Sequence, residues 1–146
     1  MSGEREDLEA LLNAAIDVAT DVLASSTEFL PFALAMQEED GEIFHLESDE
    51  TDAGADHELI LAALTGGLRE AAAEGRWRAV ARVADVTVED EDGEPMSSAI
   101  HIMLEHRNAE AITCSVPYAI EDTVELDELV AEPGDDEVFA PLTPPN

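Results

Sequence analysis

The chain has 146 residues, and 36 acidic side chains stand against six basic ones, all arginine, for a formal charge of −30. Such a carboxylate surface repels bare nucleic acid and anionic membrane. A hydrophobic content of 45% supplies one domain-sized core and argues against wholesale disorder, while the single cysteine, Cys114, excludes an intrachain disulfide and a thiolate cluster.

Residues 1–7 have no basic segment leading into an apolar one, so they do not read as a secretory signal, and a cytoplasmic location is expected. Residues 6–25 read as an amphipathic helix. Leu8, Leu11, Leu12, Ala15, Ala19, Val22 and Leu23 recur at helical spacing, with Glu9, Asn13, Asp17 and Asp21 on the opposite side. Residues 29–37 read as a strand whose beginning lies at an edge or at a strand start, because Pro31 has no N–H to donate. Asp40-Gly41 signals a hairpin turn into a second short strand over 42–46. Residues 47–56 form a polar acidic loop.

A second helix is expected over 56–74, with Ile60, Leu61, Leu64, Leu68, Ala71 and Ala72 on one side. Gly66-Gly67 sits inside it, where close packing against a sheet would explain the pair, and Gly75 suits its C-terminal cap. Three strands follow, over 77–88, 98–107 and 110–119. Residues 121–146 are acidic and end in prolines. They read as a tail or strap beside a single domain over 1–120.

The resulting fold class is α+β. The expected form is two-layered, with two helices on one face of a mainly antiparallel five-stranded sheet, in the order α-β-β-α-β-β-β. The same order of elements occurs in roadblock-type and related profilin-like modules. This similarity is one of element order and rests on no residue motif.

Side-chain alternation assigns the sheet faces. Ile100, Ile102 and Leu104 share a side, as do Ile112, Cys114, Val116 and Tyr118. Pairing Leu104 with Ile112, Ile102 with Cys114 and Ile100 with Val116 aligns them and predicts a three-residue loop over 107–109. Trp77, Ala79, Ala81 and Val83 form the inner set of the preceding strand. Val86 and Val88 reverse its parity, so a bulge is expected near Ala84-Asp85. If the second helix covers the inner face, the outer face gathers Arg78, Arg82, His101, Met103 and Glu105, together with Thr113 and Ser115.

That outer face is the candidate ligand- or partner-binding surface. Arginine's planar fork suits carboxylate or phosphate. The plain alternative is that Arg78 and Arg82 pair with Glu105 and neighbouring acids on an ordinary solvated face, or that residues 121–137 fold back over it. His101 and His106 point to opposite sides of a strand, and His101 lies about 13 Å along it from Glu105, so the segment is no zinc motif. The acidic loops lack EF-hand spacing, Cys114 lacks a neighbouring base, and without lysine there is no phosphate loop. No catalytic residue, cofactor or metal is expected.

The functional expectation is a protein-interaction or adaptor module, leaning away from an enzyme, that meets a protein partner or forms a homodimer. A binder of, or enzyme on, a small anionic ligand at the outer face is one alternative, and an acidic nucleic-acid mimic is another. The acidity itself is also explained by adaptation to high salt or by GC-rich coding.

Overall fold

Phe32–Gln37 has no polar side. Its first five residues, Phe32-Ala33-Leu34-Ala35-Met36, are all buried. A strand apolar in both directions must be covered on both faces, and this dictates the architecture. In the computed structural model, which describes residues 3–24, 31–47, 57–89, 92–93, 95–107, 109–120, 124–134 and 138, this strand is second from one edge of the sheet. A helix lies on each side of it.

The elements are α1 (Gly3–Leu23), β1 (Phe32–Gln37), β2 (Ile43–Glu47), α2 (His57–Ala73), β3 (Trp77–Glu89), β4 (Pro95–His106), β5 (Ala109–Ile120), β6 (Val124–Leu126) and β7 (Val130–Pro133). All strand pairs are antiparallel, in the order β2-β1-β3-β4-β5-β6, and β7 also pairs with β5. The α+β class and the order of the first seven elements are as the sequence predicts. The sheet has seven strands rather than five, because the acidic stretch after residue 120 adds β6 and β7 to its far edge.

The two helices do not share a face. Leu8, Leu11, Ala15, Ala19 and Leu23 of α1 pack with Phe32, Leu34, Met36, Ala79, Ala81, Val83, Ile100, Ile102 and Leu104. Ile60, Leu64 and Leu68 of α2 pack with Ala33, Ala35 and Val80, residues of the opposite parity. Each fully buried Leu or Ile contributes about 1.5–3 kcal/mol. The alanines of β1 face α2, and its large side chains face α1. Among the described residues no helix is long and apolar enough to cross a membrane.

The β4–β5 register is the expected one: Leu104 opposite Ile112, Ile102 opposite Cys114 and Ile100 opposite Val116. It is reached differently. The register shifts beyond Leu104, so that Ala109 is already in β5, opposite His106. Asn108 lies outside the described residues.

The bulge expected near Ala84-Asp85 is absent, and β3 pairs with β4 without interruption from Ala79 to Val88. Polar Asp85 is accommodated beside the α1-side core because the Tyr118 hydroxyl donates to its Oδ1 at 2.7 Å. The turns at Gly41 (φ 73°) and Gly75 (φ 78°) take the left-handed backbone glycine favours. A Cβ on Gly66 or Gly67 would meet nothing within 4 Å. Close packing therefore does not explain that pair, which sits on the exposed side of α2.

Candidate functional site

β3 and β4 place Arg82, His101, Met103 and Glu105 on the α2 side, with Arg82 opposite Met103 and His101 opposite Ser115. The proximity expected of Arg82 and Glu105 is real, but they form an interior pair. Arg82 Nη2 lies 3.3 Å from Glu105 Oε2, with side chains 3% and 0% exposed. Arg82 Nη1 donates to the Thr65 hydroxyl of α2 at 3.1 Å. The Val138 N–H donates to Glu105 Oε1 at 2.8 Å, and the Val138 side chain packs into the α2 cluster. The chain after β7 thus returns across this face at Val138 and helps enclose the pair. A guanidinium held this way is not presented to a dissolved anion.

Arg78 goes elsewhere. The β1–β3 register shifts at Met36/Gln37, so Gln37 pairs with Trp77 while Met36 pairs with Ala79, leaving Arg78 as the extra residue. Trp77 thereby joins the α2-side cluster instead of the α1-side set its spacing predicts. The Arg78 guanidinium donates from Nη2 to the Glu38 carbonyl at 2.8 Å, and its Nη1 lies 3.6 Å from Asp7 Oδ1 on α1. His106 Nε2 meets the other oxygen of Asp7 at 2.9 Å. Arg78, His106 and Asp7 therefore fasten the first turns of α1 to the sheet, and Arg78 does not join Arg82 in one basic patch.

His101 Nδ1 lies 3.2 Å from the Ser115 hydroxyl. Burial pushes the imidazole below its ordinary value of 6.5, with Arg82 acting in the same direction and Glu132 of β7 opposing. A native histidine that resists protonation makes the unfolded chain the better proton acceptor. Its stabilising contribution is complete above pH 6.5 and is lost as pH falls from there toward the lowered native value. We expect the stability difference between wild type and His101→Gln to shift against wild type over that acid window. Denaturant midpoints at a series of pH values check this, and parallel profiles would refute it. Burial pushes the Cys114 thiol up, as suits a side chain among the α1-side apolars.

The remaining arginines also have partners. Arg5 pairs with Glu9, Arg76 with Glu74 and Arg107 with Glu38, and Arg69 too is engaged.

A different feature was not apparent from sequence. Where the β1–β2 hairpin meets the end of α2, an open groove of about 700 Å³ is lined by Gln37, Glu38, Glu39, Phe44, Leu46 and Trp77, flanked by His45, Gly75 and Arg76. Phe44 is 39% exposed, and its ring centroid is 6.1 Å from that of Trp77 at 53°. The Trp77 Nε1–H is buried and has no hydrogen-bond partner among the described residues. Only the position of β2 at the sheet edge makes Phe44 conspicuous, and that position depends on strand order.

No family model matches this chain, and no curated protein and no solved structure matches it.

Proposed function

We propose that the chain is a protein-interaction module whose contact surface is the β2 edge and the groove beside it. The contrast between the two sheet edges carries this reading. Beyond β5 the sheet ends in two short strands, Val124–Leu126 and Val130–Pro133, the second closing on a proline. Short strands and proline are the devices that stop a sheet edge from pairing. At the other edge β2 reads Ile-Phe-His-Leu-Glu, without proline, and among the described residues no strand lies outside it.

The Gln37 N–H donates to the Glu42 carbonyl at 2.8 Å. Antiparallel alternation then turns the main-chain groups of Ile43, His45 and Glu47 away from β1. An incoming strand would find those groups beside the exposed Phe44 ring, the arrangement by which extended segments are captured.

Arg82 and Glu105 serve in this reading as an interior fastening, and the enclosure of Arg82 gives the anionic-ligand alternative no support. A cytoplasmic setting belongs to the same proposal and rests on the lone, buried Cys114. Phe44→Ser is expected to leave the melting temperature nearly unchanged while abolishing co-purification of the partner that wild type retains. Retention of the same partner by Phe44→Ser would refute the assignment of the surface.

A further inference from the structure

Resting on that reading of β2 as a docking edge, we infer that its occupant is an extended cationic segment. Such a segment adds to β2 as a strand and lays a lysine or arginine side chain into the groove between Phe44, Trp77 and Glu39.

Charge supplies the first argument. A net charge of −30 raises the local concentration of cationic partners and opposes a second copy of the same chain. The groove repeats this bias locally. Its cationic neighbours are matched by carboxylates, Arg76 by Glu74 at 3.2 Å, Arg107 by Glu38 at 2.8 Å and Arg78 by Asp7 at 3.6 Å. Exposed Glu39 has no ion pair among the described residues. The unmatched charge at the groove is therefore negative.

The second argument is the wall. Two aromatic rings whose centroids lie 6.1 Å apart, with Leu46 on the same side of the sheet, form an apolar wall of the groove. Lysine and arginine bury their methylene stems on such a surface and hold their charge over a ring face, where indole is the best acceptor.

The third argument is geometric. Strand addition at β2 places alternate side chains of the new strand on the α2 side of the sheet, the side on which Phe44, Leu46 and Trp77 lie. The main chain would give affinity, and the groove would select the cation.

Trp77 is the chain's only tryptophan, so its emission reports on this groove. The probe is a short peptide alternating valine with lysine, titrated at low ionic strength into the full chain. We expect a saturable change in Trp77 emission. Binding should weaken about tenfold or more in Phe44→Ser and in Glu39→Lys, and equally when alternate peptide nitrogens of the probe are methylated. If the methylated probe binds as well as the parent, the peptide is only a counterion and strand addition is overturned. Equal binding by the glutamate or threonine counterpart leaves β2 as a docking edge and overturns the cationic partner. Sedimentation showing a dimer that Phe44→Ser dissociates makes the occupant a second copy and overturns the proposal likewise. Should no probe alter the emission and Phe44→Ser retain the native partner, the partner class and the docking edge fall together.

Discussion

Glu105→Ala is expected to lower the stability of the domain by about 3–5 kcal/mol, the usual effect of removing one member of a buried ion pair. The carboxylate is wholly enclosed, faces the Arg82 guanidinium at 3.3 Å and accepts from the Val138 N–H. Without it, Arg82 loses the carboxylate it faces at 3.3 Å, in a site closed by α2 and the returning chain.

Replacing both partners by apolar side chains, as in Arg82→Met with Glu105→Leu, should recover most of the loss, because the desolvation of both charges disappears together. Equilibrium denaturation of the single and double variants measures the coupling. A Glu105→Ala midpoint indistinguishable from wild type would show that the pair is not enclosed as described. Salt offers a second discriminator. Screening acts on exposed charge and little on a buried pair. Added salt should raise the stability of both proteins by relieving the self-repulsion of a −30 surface and leave the difference between them nearly constant. A difference that vanished with salt would place the pair at the surface.

Much of this arrangement is legible in the order of residues, and the rest fails for identifiable reasons. Alternation over Ile100–Leu104 and Ile112–Val116 fixes the β4–β5 register, because a slip of one residue would drive a whole apolar set into water. Alternation likewise puts Arg82, His101, Met103 and Glu105 on one face. It cannot show whether that face is covered. The missed signal is the unbroken run Phe32-Ala33-Leu34-Ala35-Met36, which requires covering on both sides and therefore a helix on each. Once α2 is set over Ala33, Ala35 and Val80, the same residues that read as a solvated patch become an interior.

Trp77 and Arg78 are misassigned for a more local reason. One extra residue in β3 inverts everything N-terminal to it, and nothing in the composition of that strand marks the place. Phe44 is the converse case. Its strand is visible in the sequence, but its value as a contact residue arises only from the strand order, which leaves β2 outermost.

The other large effect concerns α1, the 21-residue helix Gly3–Leu23. Its outer side descends through Glu9, Asp17 and Asp21, its last turn carries no basic residue, and the negative end of the helix dipole is therefore left without a cation. A helix of this kind is held by its packed face. Leu11 is at the middle of that face with none of its surface exposed, in one cluster with Ala15 and with Ala79 and Ala81 of β3.

Leu11→Ala is accordingly expected to cost about 2–5 kcal/mol, the usual range for removing a fully buried leucine side chain. The ties from Asp7 to Arg78 and His106 hold the first turns of α1 against the sheet and further oppose any inward shift. Leu59→Ala on α2, where the side chain is 68% exposed, provides the matched control and should change stability by less than about 0.5 kcal/mol. Comparable losses at the two positions in urea titrations would mean that α1 is not seated on the large-residue side of β1, and the two-sided covering of that strand would then have to be abandoned.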